Sequence, residues 1–160
     1  MNIRIGIGYD VHRVCTGRQL VLGGVLIDSS FGLEGHSDGD VLSHAIADAL
    51  LGAAGFQDIG YFFPNSDPTL EGVSSQVILR RVREILYSNY IEISNVDATL
   101  ICEEPKIAPY ITEMRKNLAS SLDISIAQIG IKATTNEKLG FIGRGEGMAA
   151  FAAACIVKKS

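Results

Sequence analysis

The chain lacks tryptophan altogether and has only four prolines and three cysteines among its 160 residues. The cysteines, Cys15, Cys102 and Cys155, are odd in number and far apart, which excludes a disulfide framework and a Cys-x-x-Cys motif. We expect three reduced, partly buried thiols, as in a cytosolic protein. No histidine lies near Cys102 in the sequence, which argues against a nucleophilic thiol at that position.

Long hydrophobic runs are also missing. The longest apolar segment, residues 148–157, is too short to span a membrane and predicts a buried element. Residues 1–4 lead directly into the first predicted strand, without the charged and apolar regions of a signal peptide. We therefore expect a cytoplasmic protein of bacterial type, with no membrane partner.

Basic residues are in the minority. The chain has 14 Lys and Arg against 18 Asp and Glu, and its net charge is -4. A nucleic-acid-binding protein normally shows a basic patch or stripe, so we expect no nucleic-acid partner. A hydrophobic fraction of 47% and a charged fraction of 20% are typical of a globular protein. The length suits one domain, residues 1–160, with a core of its own.

The hydrophobic pattern predicts strands mixed with three helices. The predicted strands are 3–9, a hairpin over 19–27, 91–102, 129–135 and 148–158. The predicted helices are 37–52, in which Ser37-x-x-Asp40 resembles a capping box, 74–90 and 105–122. A separate short turn before Pro109 is an alternative start of the third helix. A loop is predicted over 56–69, and a Gly-rich loop or short turn over 138–147. This order predicts an α+β fold, a mixed sheet with helices packed on one face. The last strand is apolar on both faces, so we expect the second face to be covered by oligomerisation.

The three histidines all lie in the first third of the chain and mark a candidate metal site. Asp10 and His12 are two residues apart at the end of the first apolar run, and residues at this spacing on a strand point to the same face. His44, one turn into a predicted helix, could supply a third ligand. Two imidazoles and one carboxylate match a catalytic zinc set whose fourth position is left for water or substrate. A hydrogen-bonded surface pair is the alternative interpretation of Asp10 and His12 alone.

Three polar segments form a second group of candidates. Residues 132–141 follow a strand, and their hydroxyls and backbone N–H groups could bind phosphate, while Glu137 could hold Mg²⁺ between two phosphates. In 103–109, N–H groups after Pro105, near a helix start, could meet an anion or a base edge. Residues 58–60 could contact sugar hydroxyls. Taken alone, residues 132–141 are better explained as an ordinary polar turn, and ordinary turns are the alternative interpretation of the other two segments.

Several motifs together resemble one known family. They are Gly8–His12, Gly35–Val41 with His44, Asp58–Gly60 with Phe63-Pro64, Pro105-Lys106, Lys132–Thr135 with Glu137–Gly140, and Gly143–Gly147. In order and spacing, over essentially the whole chain, they are similar to the 2-C-methyl-D-erythritol 2,4-cyclodiphosphate synthase family of the non-mevalonate route to isoprenoids. One departure is Asn65, where many relatives have aspartate: it keeps an acceptor and loses a charge.

The resemblance implies a metal-dependent lyase. The 2-phosphate of 4-diphosphocytidyl-2-C-methyl-D-erythritol 2-phosphate would attack the β-phosphorus, so that CMP leaves and a cyclic diphosphate forms. The resemblance also implies one Zn²⁺ per active site and a second divalent ion, Mg²⁺ or Mn²⁺. It implies a homotrimer whose active sites lie between subunits, with the open sheet face in the trimer core.

The resemblance also implies roles for individual residues. Asp10, His12 and His44 match the zinc ligands, and Glu137 matches the ligand of the second metal. His36 and Thr135 match the pair that stabilises the transition state. The positions that match substrate contacts are Ser37, Asp58, Ile59, Gly60, Phe63, Pro64, Asn65, Asp67, Cys102, Pro105, Lys106, Ile107, Ala108, Ala133, Thr134, Asn136, Phe141 and Arg144.

Two other functions share part of this pattern. A zinc-dependent phosphohydrolase would use the same ligands to activate water and would release a linear product. A structural zinc trimer is a third interpretation. The open fourth position of the ligand set argues against it, because structural zinc sites are usually closed.

Overall fold

A five-stranded mixed sheet is the centre of the computed structural model, which describes residues 2–159. The strands are β1 (Asn2–Cys15), β2 (Leu20–Leu22), β3 (Val25–Ile27), β4 (Gly32–Leu33), β5 (Ile91–Ile101), β6 (Ile129–Thr134) and β7 (Gly147–Lys158). The order in the sheet is β4-β1-β7-β5-β6, and β2 and β3 form a separate hairpin. Only β5 and β6 run parallel among the paired strands of the described residues.

The three long helices of the described residues cover one face of this sheet, and two short helices lie in loops. In chain order they are α1 (Val41–Ala54), α2 (Ile59–Phe62), α3 (Ser75–Ser88), α4 (Ile111–Leu122) and α5 (Gly140–Gly143). Helix α1 packs directly on β1, because Gly6 and Gly8 leave room for its backbone. A Cβ at Gly8 would lie 2.0 Å from the carbonyl oxygen of Ala45, so the close approach requires glycine. The predicted α+β fold with helices on one sheet face is confirmed.

The other face of the sheet is open and apolar. Alternate residues of β1 project from it, and their exposed fractions are high: Ile3 61%, Ile5 73%, Ile7 68%, Tyr9 51% and Val11 42%. On β7, as the alternation predicts, Ala150, Ala152 and Ala154 are buried while Phe151 is 47% exposed. A contiguous apolar surface of this kind marks an interaction site.

Two helix starts differ from the prediction. Helix α1 begins at Val41, and its N-cap is Asp40, whose carboxylate accepts the N–H of Ser43. The predicted capping box is therefore wrong, since the hydroxyl of Ser37 contacts His44 instead. Helix α4 begins at Ile111, after a single 3₁₀ turn, so Pro105 lies in a loop and not near a helix start.

Two loops hold more structure than the pattern predicts. Residues 56–69 contain α2 and the start of a 3₁₀ turn over Pro68–Leu70. The segment 138–147 contains α5. In residues 2–159, no helix is both long enough and apolar enough to cross a bilayer.

Candidate active site

Asp10, His12 and His44 converge where β1 meets the first turn of α1. The Asp10 Oδ2 atom lies 2.8 Å from His12 Nε2 and 3.0 Å from His44 Nδ1. The two ring nitrogens are 3.2 Å apart, and the three potential ligand atoms all lie within 4.8 Å of one another. The structure therefore brings together the three side chains that the sequence groups as a metal site.

The ring proton of His44 lies on Nε2, the nitrogen that faces Ser75. The Ser75 hydroxyl donates to the carboxylate of Asp38, and the N–H of Ser75 donates to the same carboxylate at 2.9 Å. The oxygen of Ser75 lies 2.9 Å from His44 Nε2 and must accept there, because its proton is already engaged. The Nε2 atom of His44 is therefore the donor, and Nδ1 keeps a free lone pair.

The same logic applies to His12 and tests whether the site fits a metal. The Nδ1 atom of His12 faces the carbonyl oxygen of Glu34, which can only accept, so Nδ1 carries the proton. The lone pairs of His12 Nε2 and His44 Nδ1 then face each other and the carboxylate of Asp10. Three electron-pair donors this close need positive charge between them, which either a proton on a ring nitrogen or a divalent metal ion supplies. Two nitrogens and one oxygen fit the ligand set of a divalent metal such as zinc.

The pKa values at the cluster also show attraction for positive charge. Burial raises the pKa of Asp10, but hydrogen bonds with His12 and His44 outweigh it and lower the pKa to about 2. Burial is the largest single influence on the pKa of His12 and lowers it, but the hydrogen bond and charge of Asp10, together with the carbonyl of Glu34, outweigh burial and raise the pKa above its usual value. The cluster thus holds an ionised carboxylate over the whole neutral range.

Ser75 and Asp38 are supporting residues that the sequence pattern did not predict. Both belong to the hydrogen-bond chain that orients His44, and Ser75 is completely buried at the start of α3. From sequence alone, serine at a helix start predicts only capping. Nothing in its spacing from His44 indicates contact, because tertiary packing creates it.

Ser75→Ala is expected to weaken zinc binding about tenfold, the lower end of the usual effect for residues that orient a metal ligand. Ser37 would remain as an acceptor 3.0 Å from His44 Nε2, which limits the loss. Competition with a chelator measures the affinity. Ser121→Ala is the matched control, since Ser121 is also buried and hydrogen-bonded, to Gln76. Equal zinc affinity in all three proteins would contradict the orienting role.

The cluster lines a cavity of about 290 Å³. The predicted residues that share its lining are His36, Ser37, Ile59, Gly60, Phe63 and Asn65. Three predicted contacts, Asp58, Pro64 and Asp67, are not part of this lining. The carboxylates of Asp58 and Asp67 accept local backbone N–H groups and cap short helical turns. Asp67 does approach the cavity through its carbonyl oxygen, 3.4 Å from His36 Nε2.

The second group of predicted residues lines another cavity, of about 330 Å³. The predicted residues in its lining are Cys102, Pro105, Lys106, Ile107, Ala108, Ala133, Thr134 and Thr135. Just beyond, Thr135 Oγ1 donates to Glu137 Oε1 at 3.2 Å and accepts the N–H of Glu137 at 3.2 Å. A hydroxyl and a carboxylate therefore lie side by side at the end of β6.

The remaining predicted contacts lie in the loop after β6 and around α5. Asn136 donates its side-chain amide to the carbonyl of Leu139, at 2.8 Å, which closes the turn before α5. Phe141, in α5, lines a cavity next to His12. Arg144 follows α5 and forms an ion pair with Glu146 at 2.7 Å.

Burial makes Cys102 a poor nucleophile. Together with the nearby charge of Glu103, it raises the pKa of the Cys102 thiol to about 11. At pH 8 only about one thiol in a thousand would be ionised, and the thiolate is the reactive form. We expect iodoacetamide to label Cys102 about a hundredfold more slowly in the native protein than in urea, with the rate rising as pH approaches 11. Equal rates in both states, measured by mass spectrometry, would contradict this.

The two groups of residues lie at the same end of the sheet, but not together. Val11, Ala149, Ile101 and Thr134 form one row across β1, β7, β5 and β6. His12 and Thr135 come one residue later on the outer two of these strands. Three strand spacings separate them, or about 14 Å. One chain therefore holds the two groups apart, as separate half-sites of the predicted active site.

Comparison with known proteins agrees with this geometry. The model of the YgbB family matches residues 3–157. The chain is 56% identical to the 2-C-methyl-D-erythritol 2,4-cyclodiphosphate synthase of Pelodictyon phaeoclathratiforme, over 98% of this chain and 99% of the relative.

Two solved structures are also similar. The bifunctional IspDF of Campylobacter jejuni is 40% identical, with a TM-score of 0.95, over 99% of this chain and 43% of that protein. A CDP complex of IspF from Plasmodium falciparum is 38% identical, with a TM-score of 0.87, over 99% and 98% of the two chains. With a family model matched along nearly its whole length, the chain belongs to the YgbB family of 2-C-methyl-D-erythritol 2,4-cyclodiphosphate synthases.

Proposed function

We propose that the protein converts 4-diphosphocytidyl-2-C-methyl-D-erythritol 2-phosphate into 2-C-methyl-D-erythritol 2,4-cyclodiphosphate and CMP. The observation that carries the proposal is the convergence of Asp10, His12 and His44 on one point in a cavity, in a chain of this family. The CDP complex of the Plasmodium falciparum relative supports a substrate linked to cytidine diphosphate.

The reaction places modest demands on acid–base chemistry. An oxygen of the 2-phosphate forms a bond to the β-phosphorus, and the bond from that phosphorus to the oxygen bridging to the α-phosphate breaks. CMP leaves with the electron pair of the broken bond. A phosphate oxygen is already ionised near neutral pH, so no side chain has to act as general base. The protein instead has to fold the substrate and neutralise its charge.

The chain's own residues divide this work between the half-sites. Asp10, His12 and His44 would hold Zn²⁺, and Glu137 would hold Mg²⁺ or Mn²⁺. When bound, these ions would neutralise charge on the attacking and leaving phosphate oxygens. His36 and Thr135 would donate hydrogen bonds to the phosphate that is being transferred.

The other predicted residues would bind the two ends of the substrate. The loop with Lys106 would bind cytosine, with Cys102, Pro105, Ile107 and Ala108 around it. Ala133 and Thr134 would lie beside this loop, with Thr134 contacting the neighbouring phosphate. Asp58, Ile59 and Gly60 would meet sugar hydroxyls. Asn65 would offer an amide in the cavity that Ile59 and Gly60 line. Ser37, Phe63, Pro64, Asp67, Asn136, Phe141 and Arg144 would complete the contacts.

The separation of the half-sites supports the homotrimer that the family resemblance implies. Two metals on one diphosphate must lie within a few ångströms of each other, whereas the half-sites of one chain are about 14 Å apart. A neighbouring copy can supply the missing half, and the apolar face of β1 and β7 is a suitable surface for such contact. We propose that residues 1–160 act as one domain in this trimer, and a cytoplasmic location stays a prediction.

Phosphorus NMR tests the proposed function. The purified protein, with Zn²⁺ and Mg²⁺, is incubated with the proposed substrate. We expect one CMP for each cyclic diphosphate. CMP with a linear phosphorylated product would instead indicate a hydrolase, and no reaction in a zinc-loaded trimer would leave a structural role.

A further inference from the structure

Glu103 lies beside the loop that carries Thr135 and Glu137. Its side chain is only 8% exposed although it bears a charge. The Oε1 atom accepts the N–H of Asn136 at 2.9 Å and the N–H of Lys138 at 3.3 Å. The Oε2 atom pairs with the Lys138 ammonium at 3.1 Å. One carboxylate therefore binds the backbone on both sides of Glu137.

This loop needs such support because its backbone is unusual. Glu137 and Lys138 have φ values of 52° and 63°, in the left-handed region. Residues with a Cβ rarely adopt that conformation, and two in succession are held only by surrounding contacts. Glu103 supplies two of these contacts. It lies just after β5, and the loop lies just after β6, the strand that pairs in parallel with β5.

The opposite side of the loop is also closely packed. A Cβ at Gly143 would lie 2.1 Å from the carbonyl carbon of Lys138. The turn before α5 is therefore held on one side by Glu103 and on the other by Gly143, the last residue of α5. Both contacts act on Lys138, the residue that follows Glu137.

We propose that Glu103 is a positioning residue: its carboxylate fixes the 135–138 loop so that Glu137 and Thr135 face the diphosphate, and it thereby sets the affinity for the second divalent ion. The inference rests on the proposed function, in which Glu137 binds that ion. The side-chain hydrogen bond with Lys138 lowers the pKa of Glu103, so the carboxylate stays ionised at neutral pH.

Three variants separate positioning from general destabilisation. Glu103→Ala removes the acceptor, whereas Glu103→Gln keeps an oxygen for the two N–H groups. The control is Asp123→Asn. Asp123, at the end of α4, forms an ion pair with Arg83 of α3, so this variant also removes the carboxylate of an ion pair. Asparagine tolerates the left-handed backbone at that position, where φ is 55°.

The measurements are hydrogen exchange of the 135–140 segment, Mn²⁺ affinity by electron paramagnetic resonance with CDP present, zinc content, and kcat at saturating substrate. For Glu103→Ala we expect faster exchange at Asn136 and Lys138, a Mn²⁺ dissociation constant about 10- to 100-fold higher, and a lower kcat with unchanged zinc content. Glu103→Gln should recover most of the Mn²⁺ affinity, and Asp123→Asn should match the wild type.

Wild-type exchange and Mn²⁺ affinity in Glu103→Ala would overturn the inference. If that variant does not fold, Gly143→Ala disturbs Lys138 from the other side, and it should weaken Mn²⁺ binding without loss of zinc. Normal Mn²⁺ binding in that variant would also count against the inference. Failure of the proposed function is seen separately, as a wild-type protein that forms no cyclic product.

Discussion

Glu137→Gln is expected to lower turnover by about 10³-fold or more, while zinc content and the trimer stay unchanged. Glutamine preserves the size of the side chain and one oxygen, but it removes the charge that Mg²⁺ requires of its carboxylate ligand. Loss of one preorganised electrostatic group at a reacting centre commonly costs 10²–10³ in rate. In this variant most copies would also lack the bound Mg²⁺, which lowers the rate further. Release of CMP, followed with the substrate in excess, measures the effect.

Glu84→Gln is the matched control for this variant. Glu84 is an exposed glutamate on α3, away from both half-sites, so its replacement should leave turnover at the wild-type level. Turnover above about a tenth of the wild-type rate in Glu137→Gln would show that the carboxylate does not hold a required metal. Loss of zinc from the variant would show that the two half-sites are not independent.

Ile7→Glu is expected to convert the protein into inactive monomers. Ile7 lies in the middle of the apolar face of β1 and is 68% exposed in the single chain. In the proposed trimer this face is covered, so the substitution would bury an unpaired carboxylate in each copy. Without a neighbour, the metal cluster of each chain would have only its own Glu137 loop, about 14 Å away, and no complete site would form. Sedimentation and CMP release measure the two consequences.

The control places the same charge on another exposed apolar residue. Leu26 is 57% exposed on the β2–β3 hairpin, so Leu26→Glu should leave an active trimer. A trimer in Ile7→Glu would show that this face is not the interface. An active Ile7→Glu monomer would show that one chain contains a complete site.

The metal cluster is the part of the site that the sequence predicts best, since each step depends on local geometry. Alternation along a strand places Asp10 and His12 on one face. Helical periodicity places His44 in the first turn of α1. Only the contact between His44 and the Asp10–His12 pair depends on tertiary structure, and it follows from the packing of α1 against Gly6 and Gly8 of β1.

The supporting residues could not be predicted because long-range contacts define them. Ser75 is 31 positions from His44, and Glu103 is 33 positions from Asn136. The second pair meets only because β5 and β6 run parallel with Ile101 opposite Thr134. Neither register nor parallel pairing is visible in the sequence pattern.

The start of α1 shows the same limit. Both Ser37 and Asp40 are good capping residues by type. Asp40 is the cap because its buried carboxylate also accepts the N–H groups of Gly23 and Gly24, at 2.9 and 2.8 Å. These bonds tie the helix to the hairpin and leave Ser37 free to contact His44. Local propensity cannot choose between two caps when a distant turn decides.

Mixing two inactive variants tests the central claim, that one active site is built from two copies of the chain. His44→Ala destroys the metal cluster and keeps the Glu137 loop, and Glu137→Gln does the reverse. In trimers coexpressed in equal amounts, one site in four would combine an intact cluster with an intact loop, so activity should recover to about a quarter of the wild-type level. Activity no higher than that of either variant alone would contradict the shared site and place all the catalytic groups within one chain.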